Sequence, residues 1–269
     1  MAEIENYMVY NDRMRRSMWD KAFFMDKVPG TRLIVDYGCA DGSLVHFLSE
    51  LFPEMYLIGF DIDRHMLDLA NAGRRERTFF LGDMDGVRST MQELGISGDE
   101  VTFNFSSVFH EVFHYGFDRA QLQRFVQGVN PRYLVVRDMM YHDARAGEPV
   151  SAEAEQRVRS IIPEGQIRDF EREYGPISVR RHLLHLLLKY HYVENWAREC
   201  RENYFSGTEE AILDVVDPGQ EYEKILHHRY LLPYIRWDAE ENLGLDLGQD
   251  VTTHVAMILE RRRSGLTHI

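Results

Sequence analysis

The sequence predicts an α/β protein built on a doubly wound, mainly parallel β-sheet. Between residues 32 and 137, short apolar segments alternate with segments of helical periodicity, which is typical of parallel strands joined by crossover helices. The first apolar segment ends in a glycine turn at 36–42, as expected where a strand passes into a helix. A strongly apolar segment at 251–260 predicts a further strand near the end of the chain.

The individual elements follow from the same patterns. Strands are predicted at 32–36, 55–60, 78–81, 101–105 and 132–137, with helices at 43–52, 65–72, 87–94 and 121–129. An amphipathic helix is predicted at 11–28, ended by Pro29-Gly30, and a strand at 230–237. Helical periodicity returns at 153–161, 179–192 and 193–204, so a helical insertion is expected between strands 5 and 6.

The chain is therefore predicted to have four parts. These are an N-terminal helical cap at 1–30, the sheet core at 31–140, the helical insertion at 141–227 and C-terminal strands at 228–269 that complete the sheet. A length of 269 residues suits one large domain that carries an insertion.

Composition excludes some classes of partner. The chain has 31 Lys and Arg against 44 Asp and Glu, a formal charge of −13, so nucleic acid is an unfavourable partner because phosphate contacts need clustered cations. The two cysteines, Cys39 and Cys200, have no metal-ligand or redox spacing. Without a basic and apolar leader or a membrane-spanning apolar run, we expect a cytoplasmic protein that binds no membrane. The sequence is compatible with a homodimer but does not fix the oligomeric state.

The glycine turn is the first candidate for a ligand site. Its spacing is Asp36-x-Gly38-x-Ala40-x-Gly42, with an acidic residue two positions before the first glycine. Bare backbone and the N-terminus of the following helix can approach a ligand closely at such a turn. The spacing differs from the G-x-G-x-x-G pattern of dinucleotide sites, which indicates another ligand.

The turn resembles motif I of class I S-adenosylmethionine (SAM) dependent methyltransferases, written D/E-x-G-x-G-x-G, which wraps the methionine part of SAM. Ala40 replaces the middle glycine, and its side chain leads us to expect a negative φ there. Asp61, at the end of the second strand, matches the acid that holds both ribose hydroxyls in this family. Asp83-Met84, after the third strand, match the adenine position.

The resemblance covers about 30–140 and the last strand, and it implies a Rossmann-like sheet whose last strand is antiparallel. It implies SAM as cofactor and S-adenosylhomocysteine (SAH) as product. The cofactor-binding residues that follow from it are Asp36, Gly38, Cys39, Ala40, Gly42, Asp61, Ile62, Asp83, Met84, Asn104 and Ser106, with Lys21 as a candidate for the SAM carboxylate. In this family, insertions like 141–227 commonly form the acceptor pocket and lid.

Candidate catalytic residues follow the fourth and fifth strands. His110 or Glu111 is interpreted as a general base or a group that orients the acceptor, and Asp138, Tyr141 and His142 are further candidates at the same edge. A purely structural role for each of them is the alternative. The family's Asp/Asn-Pro-Pro-Tyr tetrad and Pro-Cys nucleophile are both absent, so covalent thiolate attack has no candidate residue.

A second pattern overlaps these residues. His110-Glu111-x-x-His114 matches the zinc protease signature, and His182, His185 or His191 could supply a third ligand. The motif follows a strand instead of lying on a long helix, so we expect no bound metal.

The functional hypothesis is a SAM-dependent methyltransferase that acts on an oxygen or nitrogen of a small molecule. An RNA or protein methyltransferase would need a positive groove near Asp61. A non-catalytic SAM-binding partner subunit would have a closed acceptor pocket. A zinc hydrolase is the third alternative.

Overall fold

A computed structural model describes residues 17–142 and 145–262. Its sheet contains β1 (Leu33–Tyr37), β2 (Tyr56–Phe60), β3 (Thr78–Leu81), β4 (Val101–Ser106), β5 (Tyr133–Met139), β6 (Tyr222–Tyr230) and β7 (His254–Arg261). The strand order is β3-β2-β1-β4-β5-β7-β6. Strands β1 to β5 pair in parallel, and β7 runs antiparallel to both β5 and β6. The predicted fold class, with an antiparallel last strand, is confirmed.

Helices connect the strands and cover both faces of the sheet. The core contains α1 (Met18–Lys21), α2 (Ser43–Leu51), α3 (Arg64–Ala72), α4 (Met84–Glu93), α5 (Phe109–Tyr115) and α6 (Arg119–Val129). Between β5 and β6 lie α7 (Ala152–Ile161), α8 (Glu164–Tyr174), α9 (Arg180–Leu187), α10 (Trp196–Arg201) and α11 (Glu209–Val216), and α12 (Pro233–Trp237) lies between β6 and β7. The predicted helical insertion is therefore present.

Alternating side chains of the strands supply two apolar layers. Val35 and Phe103 belong to one buried cluster, whereas Ile34 and Val135 belong to a cluster on the opposite face, as the twofold periodicity of a strand requires. Phe103 stacks on Phe125 of α6 at a centroid distance of 5.2 Å. These layers fix the strands so that the carboxyl ends of β1 to β4 meet at one edge, where ligands of such sheets bind.

The insertion has a buried cluster of its own. Ile167, Phe170 and Leu184 of α8 and α9 pack with Leu245 and Val251, which follow β6. The helical layer is therefore built from both sides of β6, and β6 itself begins before the predicted end of the insertion.

The prediction of a strand at 230–237 is wrong. Pro233 begins α12, a position that proline favours because its missing N–H would have no partner there. Of the expected helix at 11–28, residues 11–16 lie outside the described part of the chain, and α1 covers four residues of the remainder. Among the described residues, the helices are too short or too polar to cross a bilayer.

Candidate active site

A cavity of about 650 Å³ lies at the carboxyl ends of β1 to β4. Its lining includes the glycine turn, Asp61 after β2 and Asp83-Met84 after β3, and it extends to Glu111 and Val112 of α5 and Arg198 of α10. We call the first part the cofactor end and the part beside Glu111, Val112 and Arg198 the α5 end.

The glycine turn has three residues in the left-handed region. The φ angles are +76° at Gly38, +47° at Ala40 and +72° at Gly42. The prediction of a negative φ at Ala40 is therefore wrong. Asp61 accounts for the difference, because its Oδ2 accepts a 2.8 Å hydrogen bond from the N–H of Ala40 while its Oδ1 accepts one of 2.9 Å from the N–H of Asp63.

The two glycines pack closely against the surrounding structure. A Cβ at Gly38 would lie 2.7 Å from Cγ2 of Val108, and a Cβ at Gly42 would lie 2.5 Å from Cε1 of Phe80. At such distances, a side chain at Gly38 or Gly42 would fit only if the neighbouring atoms moved. Gly38 lines the cavity, whereas Gly42 packs behind the turn against Phe80.

Asp36 and Lys21 form a buried polar pair of residues below the turn. Asn104 donates a 2.7 Å hydrogen bond from Nδ2 to Oδ1 of Asp36, so Asn104 supports Asp36 from behind. Burial raises the pKa of Asp36 to about 6. Burial, assisted by Arg137, lowers the pKa of Lys21 to about 8. Both Asp36 and Lys21 line the cavity.

Arg137 holds α1 in place above these residues. Its Nε donates to Oδ2 of Asp20 at 2.7 Å, and its Nη1 donates to Oγ of Ser107 at 2.6 Å. The hydroxyl of Tyr230 donates to the same Asp20 oxygen at 2.9 Å. These bonds tie α1 to β4, β5 and β6 and thereby set the position of Lys21.

The remaining residues assigned to the cofactor lie along the same edge. Asp83 caps α4, since its Oδ1 accepts a 2.6 Å hydrogen bond from the N–H of Gly86. Met84 is half-buried, and Ile62 is 55% exposed. The cavity is lined by ten of the twelve residues predicted for the cofactor, namely Lys21, Asp36, Gly38, Cys39, Ala40, Asp61, Ile62, Asp83, Met84 and Ser106. Their contacts with SAM stay a prediction.

His110 lies behind the cavity wall and is held on both sides. Its Nδ1 donates to Oδ1 of Asp138 at 2.8 Å, and its Nε2 donates to Oε1 of Glu202 at 2.9 Å. Burial would lower the pKa of His110, but the two carboxylates outweigh it and raise the pKa to about 10. A charged ring with both nitrogens engaged cannot accept a proton, so the structure does not support His110 as the base.

Asp138 has a positioning role beneath α5. Its Oδ2 accepts hydrogen bonds from the N–H groups of Val108 at 2.9 Å and Phe109 at 2.6 Å. The side chain is buried and satisfies the free N–H groups at the start of the helix. It therefore orients α5 and His110 and does not face the cavity in the described part of the chain.

Glu111 faces the cavity at the α5 end. Its side chain is 22% exposed, and its Oε1 accepts a 3.0 Å charged hydrogen bond from Nη2 of Arg198. Burial, and next the neighbouring Glu202, raise the pKa of Glu111 to about 7. Of the five predicted catalytic residues, Glu111 is the one that lines the cavity of the described residues.

Tyr141 and His142 lie elsewhere, in the helical layer. The ring of Tyr141 packs against Phe205 at 5.4 Å, and Nε2 of His142 lies 3.2 Å from Oε1 of Glu209. The chain leaves the sheet edge after Met139, which carries both side chains away from the cavity wall.

The structure brings ligand atoms of His110, Glu111 and Glu202 within 4.8 Å of one another, and His114 is not part of this group. The hydrogen bonds of His110 occupy both nitrogens that a zinc ligand would offer, and the ring of His114 packs against Tyr115. His185 accepts the N–H of Tyr204, while His182 and His191 contact Pro176 and Asp238.

Arg198 is a charged residue of this cavity that the sequence did not indicate. It contacts Glu111, which lies 87 residues earlier in the chain. A single arginine in a helix of mixed charge belongs to no sequence motif that would mark it as a site residue.

Comparisons with known proteins agree with this geometry. Residues 34–131 match the family described as Methyltransferase domain. Among solved structures, the chain is similar to the plantazolicin methyltransferase BamL, solved with a triazolic desmethylPZN analog and SAH, at 12% identity and a TM-score of 0.52 over 95% of this chain and 89% of that one. A SAM dependent methyltransferase from Archaeoglobus fulgidus has 13% identity and a TM-score of 0.46 over 95% of this chain and 100% of its own. The comparison with curated proteins gave no match.

The sheet has the fold of the methyltransferase BamL, and the part of the chain that carries the glycine turn matches the methyltransferase domain family. The family match covers residues 34–131, and SAM as cofactor with SAH as product stays a prediction from the glycine turn.

Proposed function

We propose that the protein transfers the methyl group of SAM to an oxygen or nitrogen of a small-molecule acceptor bound at the α5 end. The observation that carries the proposal is the continuity of one cavity from the glycine turn to Glu111 and Arg198. A volume of about 650 Å³ is within the range of small-ligand sites. Because SAM takes the cofactor end, the remaining space suits a small acceptor.

The residues at the cofactor end fit SAM. The bare backbone at Gly38 allows close approach of the methionine part, and Lys21 offers a cation to its carboxylate. Asp61 can accept hydrogen bonds from two ribose hydroxyls, and Met84 offers an apolar surface to adenine. When bound, SAM supplies a methyl group activated by its sulfonium.

The charge of the cavity lining favours a small acceptor over RNA. Its charged residues are eight carboxylates, Asp36, Asp41, Asp61, Asp63, Asp83, Asp85, Glu111 and Asp118, and four cations, Lys21, Arg88, Arg124 and Arg198. A phosphate backbone would meet net repulsion there, since nucleic-acid affinity depends on neutralising cations. The open α5 end also argues against a non-catalytic partner subunit.

Glu111 is the residue that would accept a proton from the acceptor group. Methyl transfer is an in-line displacement, so alignment and desolvation of the acceptor lower most of the barrier. A carboxylate with a pKa near 7 is matched to accepting the proton that a hydroxyl or ammonium group loses. Arg198 fixes the orientation of that carboxylate.

The test is a transfer assay with SAM labelled in its methyl group, offered small alcohols, phenols and amines in parallel with total RNA and mixed protein. We expect label in small molecules, and Glu111→Gln is expected to lower kcat by roughly 100-fold while SAH affinity in calorimetry stays unchanged. Glu93→Gln, the same change at an exposed position of α4, is the control. Label that enters only RNA or protein would overturn the proposal.

A further inference from the structure

Lys21 is a buried cation that faces the cavity. It is 9% exposed and lines the cavity wall, and within the described part of the chain its Nζ has no hydrogen-bond or ion-pair partner. Burial, and next Arg137, lower the pKa of Lys21 to about 8, so the ammonium group is charged at neutral pH. Buried charges are retained where they are paired, because removal from water is costly for each ion. The free ammonium group therefore marks the position of an anionic group of a ligand.

The neighbouring residue, Asp20, fixes the helix from which Lys21 extends. The helix α1 has four residues, too few to hold its place by its own backbone hydrogen bonds. Nε and Nη2 of Arg137 both contact Oδ2 of Asp20 at 2.7 Å, and the hydroxyl of Tyr230 donates to the same oxygen at 2.9 Å. Asp20 is thus held from β5 and from the edge strand β6, 210 positions further along the chain.

Asp20 also compensates the charge of Arg137. Arg137 is 3% exposed, and its positive charge acts on Lys21. Two cations in a site of low dielectric repel each other unless a carboxylate lies close by. Because Asp20 and Ser107 engage the guanidinium of Arg137, Lys21 is the cation of this group that can meet a ligand.

From this arrangement we infer that Asp20 and Tyr230 are positioning residues for the carboxylate of SAM, because they hold Lys21 at the cavity wall. Neither residue lines the cavity itself, so each acts through Lys21. Tyr230 lies in β6, so a strand that follows the helical insertion contributes to the selection of the cofactor. The inference rests on the proposed function and specifies how the cofactor end distinguishes SAM from an analogue that lacks the carboxylate.

The experiment compares SAH with decarboxylated SAH, which lacks only that carboxylate. Calorimetry gives both affinities, and their ratio measures how strongly the carboxylate is recognised. In the wild type we expect SAH to bind roughly 10- to 100-fold more tightly, the range for a hydrogen bond between charged groups. Lys21→Met should remove most of this preference without weakening the binding of decarboxylated SAH.

The positioning residues are tested by the same ratio. Asp20→Ala should lower the preference for SAH to the level of Lys21→Met, and Tyr230→Phe should lower it roughly 2- to 10-fold, since one hydrogen bond from a neutral donor is lost. Asp20→Ala added to Lys21→Met should cause no further loss, because residues that act through one another are not additive. Asp26→Ala, which removes an exposed carboxylate paired with Lys27, is the control and should leave the ratio unchanged.

Two results would overturn the inference and leave the proposed function intact. Asp20→Ala and Tyr230→Phe could weaken both ligands equally, which is the effect of a purely structural role. The preference for SAH could also stay unchanged or increase in Asp20→Ala, and the carboxylate would then be bound by another group, such as the released Arg137. A wild-type protein that binds neither ligand would overturn the proposed function and this inference with it.

Discussion

The two ends of the cavity are built by different physical means. At the cofactor end, the main groups come from residues 36–84 and are held by backbone geometry, with positive φ at Gly38, Ala40 and Gly42 and two N–H bonds to Asp61. At the α5 end, side chains from distant parts of the chain meet. Glu111 contacts Arg198 across 87 positions, and His110 contacts Glu202 across 92.

Under the proposed function, this difference separates the part of the cavity that binds SAM from the part that selects the acceptor. A turn of bare backbone makes the same contacts in any chain that keeps its φ angles. A buried network of ions depends on the helical layer that closes it, so the layer can change the acceptor without disturbing the turn. We therefore predict that substitutions at the α5 end mainly lower the stability of the protein. Substitutions at the cofactor end should mainly lower its affinity for SAM.

The largest expected effect is at the α5 end. Asp138→Ala removes the acceptor for the N–H groups of Val108 and Phe109 and leaves the charged His110 without one of its two partners. Breaking a buried pair in this way costs about 3–5 kcal/mol. Urea unfolding should therefore show a lower free energy of unfolding by that amount.

The matched control is Asp118→Ala. Asp118 also caps a helix, accepting a 2.9 Å hydrogen bond from the N–H of Gln121, but it is exposed and holds no histidine. Loss of such a cap costs about 1 kcal/mol. Equal losses in the two variants would mean that the His110 network adds no stability, and the contrast between the two ends would fail.

The cofactor end was largely predictable from the sequence. The segments at 43–52, 65–72 and 78–81 fold as expected within two residues, because each combines a clear periodicity with a clear boundary. Ala40 was misjudged because residue type alone suggests negative φ, whereas the hydrogen bond from its N–H to Asp61 fixes a positive one. That bond joins residues 21 positions apart and leaves no trace in local sequence.

The α5 end was predictable only in part. The position of Glu111 after β4 marked it as a candidate, but the partners that decide between His110 and Glu111 lie far along the chain, at Asp138 in β5 and at Arg198 and Glu202 in the insertion. The edge strand β6 was also missed, since exposed polar residues such as Glu223 and Lys224 hide its strand character. Where tertiary contacts between distant segments determine a role, single-sequence patterns cannot assign it.

The cofactor end should respond mainly in SAM affinity. Gly42→Ala places a Cβ 2.5 Å from Phe80 at a φ of +72°, and strain of this kind costs about 1–3 kcal/mol. If the turn shifts to relieve it, the affinity for SAM in calorimetry should fall roughly 5- to 100-fold. Unchanged affinity would mean that the turn tolerates the shift.

Gly95→Ala provides the control for backbone strain alone. Gly95 has a φ of +59°, and a Cβ there would meet no atom within 4 Å. Its substitution should cost about 1 kcal/mol of stability and leave SAM affinity unchanged. A comparable loss of affinity in this variant would show that general destabilisation, and not the packing of the turn on Phe80, weakens cofactor binding.

The smallest effect is a pH dependence that belongs to the α5 end. At low pH, His110 is protonated in the folded and unfolded chains alike, so its stabilising contribution is complete. As pH rises above 6.5 the unfolded chain loses that proton, while the folded chain keeps it up to about pH 10. Stability must therefore fall with rising pH, by at most about 1.4 kcal/mol per pH unit for one proton.

The useful window for this measurement is pH 7 to 8. Below it, Glu111 titrates, and above it Lys21 and Lys189, whose pKa values are lowered to about 8, act in the opposite direction. Urea unfolding across the window should give a steeper fall for the wild type than for His110→Asn. His228→Asn, at an exposed position of β6, should keep the wild-type slope. Parallel curves for the wild type and His110→Asn would mean that the folded chain does not hold this proton, and that the two carboxylates position the ring without charging it.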